Sequence, residues 1–168
     1  NTEAKEGIIY YSLDGGETFT RINNYTNLEG SRVDREGKPL LFNELRDVTF
    51  GHGNGVDKDT ARFIAVGEKG TIYSSVDAVT WFEEAVVYDV LGTGSGQCIL
   101  TSVKYADGKY VVVGSDEQYA RILGNAGYNV SMELIFTCFD SWVQEGENYR
   151  YKPVWKPINE NRCNSIQN

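Results

Sequence analysis

A short pattern written three times constrains this chain more than any other feature, because a repeated supersecondary unit fixes architecture before any single residue is interpreted. The copies are Ile9-Tyr10-Tyr11-Ser12-Leu13-Asp14-Gly15-Gly16-Glu17-Thr18-Phe19, Ile72-Tyr73-Ser74-Ser75-Val76-Asp77-Ala78-Val79-Thr80-Trp81 and Ile135-Phe136-Thr137-Cys138-Phe139-Asp140-Ser141-Trp142. Each reads as an apolar strand, a tight turn opened by an aspartate, and a second strand opened by an aromatic. The pattern predicts a β-hairpin at each copy.

A second element precedes the hairpin in two copies. Leu45-Arg46-Asp47-Val48-Thr49-Phe50 runs through Asn54-Gly55 to Arg62-Phe63-Ile64-Ala65-Val66-Gly67, and Leu100-Thr101-Ser102-Val103-Lys104-Tyr105 runs through Asp107-Gly108 to Lys109-Tyr110-Val111-Val112-Val113-Gly114. Asn-Gly and Asp-Gly between β-rich runs mark two-residue hairpin loops, since a type I′ turn needs positive φ at both central residues. Two hairpins make a four-stranded antiparallel sheet. Val48 recurs as Val103 about 55 residues on, close to the spacing of known blade repeats. The expected fold is therefore all-β: a β-propeller of four-stranded blades, present as about two full blades plus partial ones. Residues 7–22 supply half a blade, 44–86 one blade, 99–156 another, and 163–168 the first strand of a further blade. Such a set cannot close a ring by itself, so the expectation is that more of the same polypeptide, or identical subunits, completes it.

Ser12-Leu13-Asp14-Gly15-Gly16-Glu17-Thr18-Phe19 resembles the Asp-box, Ser-x-Asp-x-Gly-x-Thr-Trp, of the sialidase-like (BNR) propellers, with Phe19 in place of Trp. Ser75 to Trp81 departs by one residue and the glycine; Asp140 to Trp142 keeps only the aspartate and the aromatic. Phe63 to Ser75 is similar to repeats common in bacterial secreted proteins and in phage tail or receptor-binding proteins. The resemblance implies a propeller and assigns turn-locking, not chemistry, to Ser12, Asp14, Gly16, Thr18, Phe19, Ser75, Asp77, Thr80, Trp81, Asp140 and Trp142. In that role the aspartate accepts bonds from nearby backbone N–H groups, the glycine takes positive φ, and the aromatic packs between sheets.

Composition narrows the partners. The net charge of −8 argues against nucleic acid, which is held by clustered Lys and Arg. No run of about 18 apolar residues crosses a membrane. Cys98, Cys138 and Cys163 lack metal-ligand spacing and His52 stands alone, so neither a metal nor a cofactor is expected. Buried thiols are one reading of the cysteines, and a Cys98 to Cys163 bridge is another.

Propellers carry function on loops. Three long connections, Asn24 to Asn43, Val87 to Gln97 and Ser115 to Ser131, leave the sheets from the same end and suggest a binding face. Within or beside them, Tyr25, Arg32, Arg35, Tyr88, Tyr119, Arg121 and Tyr128 are the candidate ligand contacts, because tyrosine stacks on sugars or anchors proteins and guanidinium offers a fork of donors. Gly92-Thr93-Gly94-Ser95-Gly96 reads as a linker, not a phosphate loop. Asn54 to Asp59 lacks the glycine and glutamate of a calcium loop. Asn24-Tyr25-Thr26 and Asn129-Val130-Ser131 are glycosylation triplets. The expected function is a non-catalytic module that recognises a glycan or protein at a cell surface or on a virion. Two alternatives stay open: a fragment of a sialidase-type hydrolase, although Thr20-Arg21-Ile22-Asn23 lacks the proline of the family's start, or a purely structural propeller.

Overall fold

The computed structural model describes residues 5–27, 29–52, 61–84, 98–116, 132–145 and 148–157, the last two stretches as backbone. The protein is all-β: ten strands and no helix occur among these residues. Strands β1 (Ile9–Tyr11) and β2 (Thr20–Ile22) form a two-stranded sheet. The second sheet runs β3 (Leu45–Gly51), β4 (Arg62–Gly67), β5 (Ile72–Ser75) and β6 (Phe82–Glu83) in sequence order. The third runs β7 (Cys98–Ala106), β8 (Lys109–Asp116), β9 (Met132–Glu145) and β10 (Asn148–Pro157), again in order. All pairings within the three sheets are antiparallel.

Local backbone chemistry sets the turns. Asp107 and Gly108, at φ 50° and 73°, close β7 onto β8 with Ala106 opposite Lys109, as the type I′ reading requires. Lys69 and Gly70, at φ 56° and 66°, do the same between β4 and β5, where Thr71 N donates to Glu68 O (3.2 Å). Asn54-Gly55 lies outside the described residues.

The two four-stranded sheets repeat each other in detail. β3 is irregular between Leu45 and Asp47, and β7 between Leu100 and Ser102, the same position of the repeat. Gly67 and Gly114 each sit where a Cβ would collide with the neighbouring first strand: 2.9 Å from Leu45 Cα and 2.8 Å from Leu100 Cα. Only glycine admits so close an approach.

Alternation along β4 and β5 places apolar residues on both faces, so these strands are covered twice. Ile64, Val66 and Ile72 face Cys98, Leu100, Val103, Tyr110 and Val112 of the third sheet. Ala65 and Tyr73 face the other way, onto Ile22, Phe42 and Trp81, with Ile9, Tyr11 and Tyr25 packed alongside. Fully burying one such side chain contributes roughly 1.5–3 kcal/mol, so these two layers dominate the stability of the described part.

The joint between layers also recurs. Gly7 N, just before β1, donates to Phe42 O (2.9 Å), and Gly70 N, just before β5, donates to Cys98 O (2.8 Å). Between the larger sheets, Asp47 Oδ2 accepts from Ser102 Oγ (2.7 Å), Val103 N (3.0 Å) and Lys104 Nζ (3.1 Å). Tyr110 OH reaches Gly51 O (2.8 Å) and Arg62 O (3.0 Å) across the same seam.

Two expectations are corrected. The third Asp-box is not a turn: Asp140, Ser141 and Trp142 lie within β9, paired with Pro153, Lys152 and Tyr151, and the chain reverses only between Glu145 and Asn148. That copy has lost both the serine and the glycine, so nothing local opposes extension of its apolar strand. The stretch from Asn24 to Asn43 is likewise more than a loop. Asn24 bridges Leu41 in antiparallel fashion, and Thr26 bridges Phe82 in parallel, through Thr26 N to Trp81 O (2.6 Å) and Glu83 N to Thr26 O (3.2 Å). The segment thus caps the outer edge of the second sheet, which would otherwise present unpaired backbone groups.

Candidate functional site

The first two aspartate turns of the repeat are built in the same way. In the first, Asp14 accepts from Ser12 Oγ (2.6 Å), Thr18 N (2.9 Å) and Thr18 Oγ1 (2.5 Å), while Ser12 Oγ accepts from Gly16 N (2.8 Å). These bonds, the Ser12 hydroxyl foremost, hold the exposed Asp14 carboxyl far below the usual carboxylate range. In the second, Asp77 Oδ1 accepts from Ser75 Oγ (3.0 Å), Val79 N (2.8 Å) and Thr80 N (2.7 Å). Burial pushes the Asp77 carboxyl up, but the Thr80 and Val79 amides with the Ser75 hydroxyl outweigh it and the net displacement is downward. Gly15 and Gly16 take φ 75° and 97° in the first box; Ala78 takes φ 60° in the shorter second one. Both carboxylates stay charged near neutral pH, and the bonds they accept brace the turn that carries them.

Packing separates what sequence makes alike. Trp81 is 1% exposed and donates from Nε1 to Ala78 O (2.9 Å), whereas Phe19, its counterpart, is 62% exposed. The expectation that Phe19 packs between sheets therefore fails among the described residues. Tyr73 is buried, and its counterpart Tyr10 is exposed. Ladder alternation puts Tyr10, Phe19 and Arg21 on one face of the β1–β2 sheet, opposite the face that carries Ile9, Tyr11 and Ile22.

Of the seven candidate ligand contacts, three fall in described residues. Tyr25 is half-buried, its ring 4.9 Å from that of Tyr73 and 6.1 Å from that of Phe42. Burial, followed by the charge of the nearby Glu83, pushes its phenol well above its usual value. Arg32 is exposed and extends Nη2 to Thr80 Oγ1 (3.4 Å) of the second aspartate turn, and Arg35 is exposed at a turn. Tyr88, Tyr119, Arg121 and Tyr128 lie outside the described residues.

The segment bearing Arg32 and Arg35 is shaped by two consecutive side-chain-locked turns. Asn27 Oδ1 accepts from Glu29 N (3.0 Å) and Ser31 N (3.1 Å); Asp34 Oδ1 accepts from Glu36 N (2.8 Å) and Lys38 N (2.9 Å). Gly30 and Gly37 close them at φ 87° and 80°. The signal was available in the sequence as Asn27-Leu28-Glu29-Gly30 and Asp34-Arg35-Glu36-Gly37, a short local repeat whose first residue accepts from the backbone two positions on. Sequence reasoning also passed over Asp47 and Glu83. Asp47 alone could have been flagged, as a polar residue shared with Ser102 at one position of an otherwise apolar repeat.

Burial pushes the Glu83 carboxyl above its usual range, against the Tyr25 hydroxyl that lowers it, and pushes the Tyr73 phenol up to about 12. Among the described residues no group of three or more His, Cys, Asp or Glu is placed to hold a metal ion. No family model, curated protein or solved structure matches the chain.

Proposed function

We propose that the chain is a run of consecutive β-propeller blades forming a non-catalytic recognition module. It binds a glycan or protein ligand at a cell surface through the end of the sheets that carries the long connections. It works as part of a larger protein or assembly outside the cell, such as a phage tail or a bacterial secreted protein. One observation carries the reading: a similar joint links successive sheets twice, by a pre-strand glycine N–H donating to a carbonyl at the entry to the next sheet, Gly7 to Phe42, three residues before β3, and Gly70 to Cys98, the first residue of β7. A joint repeated in one sense favours radial stacking of blades over a two-sheet sandwich. The binding role rests on loop placement, since the connections after β2, β6 and β8 leave on one side of antiparallel meanders.

The test is glycan-array binding by the full chain, with Tyr119→Ala and Arg121→Ala as probes of the connection between β8 and β9. Loss of roughly tenfold or more in affinity for a retained glycan supports recognition there. Unchanged binding by both variants removes that connection from the site. A purely architectural role draws on a different observation, the exposed apolar Tyr10, Phe19, Val48 and Phe50. If the long-connection end is buried against another subunit in the assembled particle, the scaffold reading replaces the recognition one.

A further inference from the structure

The face of the second sheet that meets the β1–β2 sheet is only partly covered. Ala65 and Tyr73 are buried there beside Ile9, Tyr11 and Ile22, while Val48 and Phe50, on the same face of β3, are 54% and 45% exposed. At the next seam the counterpart of Val48 is buried: Val103 lies with Leu100, Tyr110 and Val112 against Ile64, Val66 and Ile72 of the sheet before it. The difference is the layer in front. The third sheet is preceded by a four-stranded sheet and the second by a two-stranded one, whose β1 and β2 are the counterparts of β5 and β6 in the repeat. Among the described residues β1 pairs on one side, with β2, whereas β5 pairs with β6 and also with β4. An open strand edge beside an exposed apolar surface thus stands where the repeat elsewhere has a hairpin.

We propose that this step is a docking site for a partner β-hairpin of the repeat's own chemistry, which adds a strand to the free edge of β1 and lays its aliphatic face on Val48, Phe50 and Phe63. The site rests on the proposed reading of the sheets as consecutive blades and names what the front one accepts. Backbone pairing supplies affinity in such strand addition, and alternate side chains supply selectivity. The repeat sets the register. Val66 stands opposite Ile72 and Val113 opposite Ile135, each just before a glycine, so the incoming strand places the same residue opposite Ile9.

The surface also defines what the partner carries. Tyr105 and Tyr110 send their hydroxyls to the carbonyls of His52, Gly51 and Arg62 in the sheet before them. Phe50 and Phe63 hold the same places in the second sheet and have no hydroxyl to satisfy. Val103 N donates to Asp47 Oδ2 of the preceding sheet (3.0 Å), whereas Val48 N donates to Oδ1 of its own neighbour Asp47 (2.9 Å). The front is therefore an apolar version of the inner seam, suited to aliphatic side chains and to a hairpin with no acid at the place of Asp47. The pair β7 and β8 has that chemistry: Ser102 replaces Asp47, and Val111 and Val113 replace Ile64 and Val66.

The experiment titrates the full chain with a synthetic peptide of residues 99–115, the β7–β8 hairpin, and follows binding together with amide hydrogen exchange in β1. Saturable binding is expected, with exchange slowed by at least about tenfold at the β1 amides that point away from β2. Val48→Glu in the chain should weaken binding by about tenfold or more, as should Val111→Asp with Val113→Asp in the peptide. Val76→Glu, at another exposed apolar position on the second aspartate turn, should leave binding unchanged. No binding overturns the proposal, as does binding that is indifferent to Val48→Glu or leaves β1 unprotected. Self-association that saturating peptide does not reduce assigns the face to a second copy and overturns it too. Glycan binding through the long connections is read separately on the array, so either reading can fail while the other stands. If the free peptide aggregates, the same hairpin carried on a soluble fusion protein decides between the same outcomes.

Discussion

At the residue scale Asp14 braces backbone. Asp14 takes three hydrogen bonds within its own turn while remaining open to water. Its carboxyl should therefore titrate well below the ordinary 3.8, and carbon-13 NMR of the side chain checks this directly; a midpoint at or above 3.8 would contradict the geometry. The linkage sign is that of a depressed acid: the turn is fully supported above 3.8 and loses that support as pH falls through the lowered value. Ala78 carries the complementary lesson. An L-residue at φ 60° bears about 1–2 kcal/mol of steric cost that glycine avoids, against about 0.4–1 kcal/mol of extra unfolded-state freedom for glycine. Ala78→Gly is expected to raise stability by about 0.5 kcal/mol in urea unfolding, where Gly16→Ala, at φ 97°, should lower it.

At the element scale, strands and short turns were legible before any coordinates. Asp107-Gly108 forced a two-residue loop, and Arg62 to Gly67 read as a strand, while its burial on both faces came from packing. The third Asp-box was not legible. Once Ser and Gly are gone, a lone aspartate ahead of an aromatic is equally compatible with a strand, and pairing with β10 decides. Close contact between sheets makes its own prediction. Gly114→Ala drives a Cβ against the backbone of Ile99 and Leu100, which cannot yield as a flexible side chain would. A loss of about 2–4 kcal/mol is expected, and a two-state denaturation curve shifted by less than about 0.5 kcal/mol would mean the first strand moves freely.

At the scale of the whole molecule, the described part is a stack of three sheets whose inner faces are closed and whose front is not. Tyr10, Leu13 and Phe19 on the hairpin, with Val48 and Phe50 on β3, are large apolar residues left between 45% and 83% exposed. Three of their counterparts in the following repeat, Tyr73, Trp81 and Val103, are buried by a preceding layer, whereas Val76, the counterpart of Leu13, stays exposed. The chain in isolation is accordingly expected to self-associate despite its net charge of −8. Light scattering should give a mass above the monomer's 18.8 kDa, and Tyr10→Lys with Phe19→Glu should bring it down toward that value. A native chain that stays monomeric at high concentration would mean the open face tolerates water.

The strand order and the turn chemistry of the first two copies were legible in the amino-acid sequence, because positive-φ loops, side-chain-locked turns and two-residue alternation are settled within a few neighbouring residues. Tertiary structure decided the rest. It buried Trp81 and left Phe19 in water, drew Tyr25 from a supposed binding loop into an aromatic cluster, and brought Asp47 to Ser102 across the seam between sheets. Those outcomes depend on which surface lies opposite, and a residue's neighbours across a layer are far from it in the chain.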